Sequence, residues 1–288
     1  MIIRKIFNKF LLDTWNIAIA DIGEDMTPIN IRWMKHDFTD RWFADPFFLE
    51  ETQTTFVILA EEFIRGTGLG KICKLFIDKT DCRLIKHETI LDLESHLSFP
   101  NIIVCDGELL VYPENSAAGH LTFYLLAEQS LEQKATIPIP MIDSVLMQKG
   151  DEYYLLGTLP EDANGGRLHV YKSKQLFGPY KEFQQITFGD NIARRAGNVF
   201  KWQGKMIAPA QVCNFHYGEG ISFQEIKFTD DGFLLMNEIK RLSAKKVTKM
   251  TGFHTYNVMG NHVVIDGYQY GSEFIHDAYF KIRGYKNM

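Results

Sequence analysis

The chain has 288 residues, 45% hydrophobic and 23% charged, which is enough apolar material for one large domain and unlike disordered or low-complexity chains. Thirty-one Lys and Arg against 36 Asp and Glu leave a net charge of -5, the wrong sign for a protein that works by neutralising phosphates, so nucleic acid is not an expected partner. No apolar run approaches the roughly 18 residues of a membrane-crossing helix.

The opening stretch, MIIRKIFNKFLLDTW, fits a short helix up to about Leu12. Its basic start is followed by no apolar run or small-residue cleavage site of the signal-peptide kind, so a cytoplasmic protein is expected. A strand over about 15–21 (WNIAI at its core) follows, and a turn or two of helix is expected near 243–249. Almost everything else is short runs of Val, Ile, Phe, Tyr and Leu broken by Gly, Asp and Asn, which is all-β grammar. The four cysteines, Cys73, Cys82, Cys105 and Cys213, lack zinc or dithiol spacing and read as small core residues.

One phrase recurs: a polar opener, an apolar run, a polar turn and a second apolar run with Tyr or Phe. It reads ADPFFLEETQTTFVILAEE from Ala44, SFPNIIVCDGELLVYPENS from Ser98, IDSVLMQKGDEYYLLGT from Ile142, RAGNVFKWQGKMIAPAQ from Arg195 and FHTYNVMGNHVVIDG from Phe253. The openers Asp45, Phe99, Asp143, Ala196 and His254 lie 54, 44, 53 and 58 residues apart, and each copy is followed by further strands. Four strands in each of five copies predict a five-bladed β-propeller, with blades over approximately 40–92, 96–140, 141–190, 192–243 and 250–284 and the ring closed by the strand at 15–21. The 22 Phe, 12 Tyr and 4 Trp then fill the space between blades.

In a propeller the first strand of each blade lines the axis, so the five openers converge. No P-loop, GxGxxG helix start, HExxH or GxSxG is present, which argues against phosphoryl transfer, dinucleotide chemistry and serine hydrolysis. What converges instead is carboxylate: Asp45 and Asp143 at equivalent openings, with Glu61, Glu62 and Glu114 at the ends of second strands. Two carboxyl groups at the right separation cleave a glycosidic bond, and crowding raises the pKa of the one that acts as acid. Against this stand turn roles for Asp45 before Pro46 and Asp143 before Ser144, and the expectation that only one of Glu61 and Glu62 faces the axis while the other is solvated. Asp106 before Gly107, and Asp151, read as hairpin-turn residues. Arg194 and Arg195 precede the fourth opener and are expected either to hold an anionic sugar or to neutralise a buried Asp. Gln211, Tyr217 and His254 are expected to read ligand hydroxyls, and His262 to be exposed. No metal or cofactor is called for.

The blocks WFADPFFLEE, HLSFPNIIVCDGELLVYPENS, RLHVYKSKQLFGPY, RRAGNVF, YGEGI, FHTYN and VIDG resemble a propeller family found at the N-terminus of plant glucosamine inositolphosphorylceramide transferases, over roughly 40–270. That family is similar to the five-bladed propellers of glycoside hydrolase family 43. The resemblance implies Asp45 as a general base and Asp143 as the group that tunes pKa. Where it implies a fourth-blade Glu acid, this chain reads Ala193-Arg194-Arg195-Ala196, so the acid would have to come from Glu114 or Glu62. The leading expectation is therefore a glycoside hydrolase-like, carbohydrate-active enzyme with an axial site. The alternatives are a non-catalytic module binding a glycan or sugar-phosphate, and a scaffold without ligand.

Overall fold

The computed structural model describes residues 13–127 and 130–270. The helix expected before Leu12, and the stretch 271–284 assigned to the last blade, lie outside the described residues.

The chain opens with β1 (Asp13–Ile22) and β2 (Pro28–Trp33), then runs through four sheets in sequence. Blade one contains β3 (Arg41–Glu51), β4 (Thr55–Ile64), β5 (Leu69–Asp78) and β6 (Leu84–Leu91); blade two contains β7 (Ser98–Cys105), β8 (Glu108–Glu114), β9 (Leu121–Leu126) and β10 (Leu131–Ile137). Blade three is β11 (Ile142–Lys149), β12 (Glu152–Thr158), β13 (Arg167–Ser173) and β14 (Lys181–Thr187); blade four is β15 (Phe200–Trp202), β16 (Lys205–Val212), β17 (Gly220–Phe228) and β18 (Leu234–Ser243). Blade five starts with β19 (Tyr256–Met259) and β20 (His262–Tyr270) and is completed by the N-terminal strands, in the order β19-β20-β1-β2. The result is an all-β, five-bladed propeller with only one turn of α-helix among the described residues, at Ala244–Val247.

The ring closes by antiparallel pairing of β1 with β20, in register from Asp13↔Tyr270 to Asp21↔His262. Two N-terminal strands, rather than one, complete the blade. The second, PINIRW, alternates Ile29, Ile31 and Trp33 with the polar Asn30 and Arg32, but Ile29 and Asn30 are exposed and Asn30 is left-handed (φ 53°).

Each junction between blades has its own apolar cluster. Ile17, Phe43, Phe56, Ala60 and Val264 pack between blades five and one; Leu59, Ile72, Leu97, Val111 and Tyr124 between one and two. Tyr112, Phe123 and Leu155 pack between two and three, Tyr154, Leu168 and Ile226 between three and four, and Phe223, Tyr256 and Ile265 between four and five. A fully buried Phe contributes about 1.5–3 kcal/mol, so the aromatic excess is mostly accounted for as packing between blades. Cys73 and Cys82 are core residues as expected, but Cys105 and Cys213 are only half-buried.

The first strands of blades one, two and three share a β-bulge. Pairing slips between Ala44 and Phe47, between Ser98 and Asn101, and between Ile142 and Val145. At each slip one residue adopts a left-handed conformation: Asp45 (φ 49°), Phe99 (φ 45°) and Asp143 (φ 47°). Such non-Gly residues carry strain of order 1–3 kcal/mol, and the extra residue re-aims the side chain. These are three of the five openers, and the bulge puts their side chains at the axis.

Polar bonds near the axis then stitch the ring. The Phe99 N–H donates to Asp45 Oδ2 at 3.1 Å, and Asn101 Nδ2 donates to the Ser144 carbonyl at 3.0 Å. Asn198 N–H donates to Asn257 Oδ1 at 2.8 Å, and Asn257 Nδ2 donates to the Pro46 carbonyl at 2.9 Å. The bond between Arg194 and Asp143 joins blades three and four at 2.9 Å.

Candidate functional site

Asp45 sits at the centre of the polar network and is 4% exposed. Its Oδ2 accepts from Phe99 N–H at 3.1 Å, and its Oδ1 accepts from the Thr255 hydroxyl at 2.9 Å. Burial pushes its pKa up to about 6; the charge of His254 works against that rise, while Asp143 and Asp266 add to it.

Asp266, on β20, was not singled out from the sequence, yet it organises this end of the ring. Its Oδ1 accepts the backbone N–H groups of His254 and Thr255, each at 3.0 Å, and its Oδ2 accepts that of Asp45 at 3.1 Å. The same Oδ2 lies 2.6 Å from His254 Nδ1, while His254 Nε2 stands 3.6 Å from Asp45 Oδ1. Burial alone would depress the imidazole, but Asp266 and Asp45 raise it; burial alone would raise Asp266, but His254 and the three backbone donors hold it below its ordinary value. His254 is therefore bound into a carboxylate pair, with Trp15 stacked on its ring at 4.1 Å, rather than free to read a ligand hydroxyl.

Asp143 is held differently. Arg194 donates to its Oδ2 from Nε at 2.9 Å and from Nη2 at 2.8 Å, and Gln211 Nε2 donates to the same oxygen at 2.7 Å. Of the two roles left open for Arg194, neutralising a buried Asp is the one it performs. Gln211 also bonds the Arg195 carbonyl at 3.0 Å, so it is a bracket within the ring rather than a ligand-reading group. Arg195 is fully buried and donates to the carbonyls of Ala193 and Ile192 and to Gln224 Oε1, at 2.8, 3.1 and 3.1 Å.

The glutamates separate. Glu61, on the face of β4 turned to blade two, is 5% exposed, and its Oε1 makes no hydrogen bond; His96 Nε2 stands 3.5 Å away. Burial, reinforced by Asp45, Glu114, Asp266 and Asp143, holds its pKa well above the carboxylate range, so these five carboxyl groups share one field. Glu114 uses both oxygens, accepting from the Ser98 hydroxyl at 3.1 Å and from Ser116 N–H at 2.8 Å. Glu62 does not join the axial group. It projects from the opposite face of β4, toward blade five, where Arg41, the Thr89 hydroxyl (2.8 Å) and His87 Nε2 (3.0 Å) surround it. Neither glutamate is solvated, because a propeller blade is packed on both faces and alternation only chooses which neighbouring blade a side chain meets. His262 is likewise not exposed: its side chain is 27% accessible, between Asp21 and Glu51.

Tyr217 links this centre to the surface. Its ring meets His254 edge-on at 5.0 Å and carries the Arg194 guanidinium at 5.0 Å, yet the residue remains 41% exposed. It borders a cleft of about 340 Å³ shared with Phe215, Asn164 and Asn214. Phe215 is 79% exposed, a large apolar face presented to solvent. The Asn214 and Asn164 side-chain oxygens accept from Asn191 and Gly166 N–H at 2.9 and 3.2 Å, which leaves their NH₂ groups as donors. Phe215, Asn214 and Asn164 carry no sequence expectation; the aromatic pair around His216 in the NFHYG loop is the one local sign, and it points to Phe215 and Tyr217 but not to Asn164.

Two groups among the described residues bring three metal-capable donor atoms within 4.8 Å of one another: Asp45, His254 and Asp266 at the axis, and Glu62, Cys73 and His87 on the face of blade one turned toward blade five. No helix among the described residues is long and apolar enough to cross a membrane.

A family model described as "Glucosamine inositolphosphorylceramide transferase 1, N-terminal" matches residues 30–269. The chain belongs to that family. Within the glucosamine inositolphosphorylceramide transferase 1 N-terminal family it is similar to the Arabidopsis thaliana protein of that name, 28% identical over 150 residues, which cover 48% of this chain and 19% of the relative. The japonica rice protein of the same name is 29% identical over 147 residues, covering 48% of this chain and 20% of the relative. The chain thus matches about a fifth of the length of these curated relatives. Among solved structures, it superposes on a GH43 β-1,3-galactosidase with galactodeoxynojirimycin at a TM-score of 0.53 and 9% identity, covering 74% of this chain and 84% of that one. The Cellvibrio cellulosa α-L-arabinanase complexed with arabinohexaose gives a TM-score of 0.53 at 16% identity, covering 77% of this chain and 91% of that one. At these identities the likeness speaks to the fold alone: this chain and the GH43 proteins share the propeller.

Proposed function

We propose that this family member is a carbohydrate-binding propeller that holds a glycan in the cleft beside Tyr217, where blades three and four meet at the end of the axis. The observation that carries the reading is the fourth-blade opener. The stretch where the resemblance implies a fourth-blade acid reads Ala193-Arg194-Arg195-Ala196, without a carboxylate, and its Arg194 side chain is spent on Asp143. The polar centre then acts as a rigid floor, and the accessible chemistry lies above it. Phe215 and Tyr217 offer aromatic faces to the apolar face of a sugar ring, and the Asn164 and Asn214 amides offer donors to its hydroxyls. Because Arg194 is already paired, a neutral sugar fits better than a sugar-phosphate.

The test is a glycan array followed by calorimetry on the ligands retained. Phe215→Ala and Tyr217→Ala are each expected to weaken binding roughly 2–10-fold, the worth of one aromatic stacking contact. Retention of no glycan, or affinities equal to wild type in both variants, would overturn the reading.

One observation favours hydrolysis instead. Asp45, with its pKa pushed up to about 6, stands in the same field as Glu61, whose Oε1 is unpartnered. On that reading Asp45 is the base and Glu61, rather than Glu62 or Glu114, is the acid. Sugar release from a panel of aryl glycosides and oligosaccharides decides it: turnover abolished by Asp45→Asn supports hydrolysis, and equal rates in wild type and variant exclude it.

A further inference from the structure

We propose that Glu62, Cys73 and His87 form a binding site for a zinc-class divalent cation on the blade-one face turned toward blade five. The three residues come from the adjacent strands β4, β5 and β6 and project from the same side of the sheet: Cys73 pairs with Ala60, two residues before Glu62 on β4, and with Thr89, two residues after His87 on β6. Their donor atoms, a carboxylate oxygen, a thiol sulfur and an imidazole nitrogen, lie within 4.8 Å of one another. Metal–ligand bonds of about 2.0–2.3 Å would draw them together by only a fraction of an ångström each.

Two further observations point to a ligand. His87 Nε2 is buried 3.0 Å from Glu62 Oε1, so the imidazole nitrogen and the carboxylate oxygen already face each other across the space a cation would fill. His36 Nδ1, buried and without a hydrogen bond, belongs to a residue lining the same cleft of about 350 Å³ that His87 lines. The rings of His36 and His87 pack edge-on against Phe43 at 5.4 and 5.8 Å.

The donor set selects the metal. One thiolate, one imidazole and one carboxylate suit Zn²⁺ better than the all-oxygen ligands that Ca²⁺ and Mg²⁺ take, and three protein ligands leave a fourth position for water from the cleft. Arg41, which now pairs with Glu62, keeps Asp40 as a second anion, bonded from Nε at 3.0 Å and from Nη2 at 2.8 Å. It therefore stays neutralised when Glu62 turns to the metal. The Thr89 hydroxyl, donating to Glu62 Oε2 at 2.8 Å, orients the carboxylate from the second shell. Binding releases the Cys73 thiol proton to solvent, and the thiolate, Glu62 and His87 then share the cation.

The test titrates the full chain, freed of metal by a chelator, with Co²⁺ and then Zn²⁺. The expected result is a near-ultraviolet thiolate-to-cobalt band with visible bands of a four-coordinate ion, at one equivalent, both displaced by Zn²⁺. Cys73→Ser should abolish the near-ultraviolet band, and His87→Ala should weaken cobalt binding at least about tenfold, while Cys213→Ser changes neither. Metal analysis after equilibrium dialysis of wild-type protein against Zn²⁺ gives a readout that needs no variant. Failure to retain one equivalent there, or a band that survives Cys73→Ser, overturns the site.

Discussion

The Asp266 carboxylate accepts the backbone N–H of Asp45 at 3.1 Å, although the two residues are 221 positions apart. The bond ties the last blade to the bulge of the first. Since Asp266 also caps the N–H groups of His254 and Thr255, one side chain holds both sides of the closing junction. Replacing it by Asn keeps the shape but removes the charge that partners His254, and breaking one side of a buried pair costs about 3–5 kcal/mol. Asp266→Asn is expected to lose stability in that range on urea denaturation. A loss below about 1 kcal/mol would show that pairing of β1 with β20 closes the ring without this residue.

The same cluster sets a pH dependence. Asp266 is held below its ordinary value of 3.8, so its contribution is present above that pH and is lost as the pH falls through the folded value. His254 is held above 6.5, so its contribution is complete below that pH and is lost as the pH rises through the raised value. Asp45, raised from 3.8 to about 6, favours folding most when protonated, and its share declines across that interval. Surface carboxylates with lowered values, such as Asp25, Glu88 and Glu182, matter only in the acid range below about 4.5. The urea midpoint is therefore expected to peak between about pH 4 and 5 and to fall by about pH 8. A midpoint that is flat or rising over that span would contradict the assignment.

Arg194 offers a double-mutant cycle. Arg194→Met strands the Asp143 carboxylate, 3% exposed, with only Gln211 as donor, and is expected to cost about 3–5 kcal/mol. Arg194→Lys should recover little, because a single ammonium cannot reproduce the paired Nε and Nη2 donation. Adding Asp143→Asn to Arg194→Met should restore much of the loss, since the buried charge goes with its partner. Strictly additive losses would mean that the two side chains are not energetically coupled.

The period of the openers was legible because blades one to three repeat the same bulge, and the bulge fixes where a polar residue must stand. Asp45 and Asp143 are readable for that reason. Asp266 was not, because VVIDGYQY reads as an apolar strand, and the groups that need its charge sit on distant segments. The one local sign is an acidic residue inside a buried run between Ile265 and Gly267. The two-sided burial of Glu61 and Glu62 is not legible from alternation, which implies one wet face only for a sheet with one solvated side and not for a blade between two others. The pairing of Arg194 with Asp143 lies beyond local pattern, since the residues are 51 positions apart on different blades.

Gly197 supplies a test of how closely the inner strands of blades four and five approach. Its φ is +153°, which L side chains rarely adopt, and a Cβ there would meet the Tyr256 carbonyl oxygen at 2.2 Å and Asn257 Oδ1 at 2.7 Å. Those atoms are not free to retreat. Tyr256 N–H donates to the Ala196 carbonyl at 2.7 Å, and Asn257 Oδ1 accepts Asn198 N–H at 2.8 Å. Gly197→Ala must therefore push the two blades apart, and a loss of about 3 kcal/mol or more is expected. Gly107→Ala is the control: its φ is +80°, but nothing lies within 4 Å of the added carbon, so it reports backbone strain alone, about 1 kcal/mol. Equal losses in the two variants, measured by denaturant titration, would show that steric contact at the junction is not what makes Gly197 necessary.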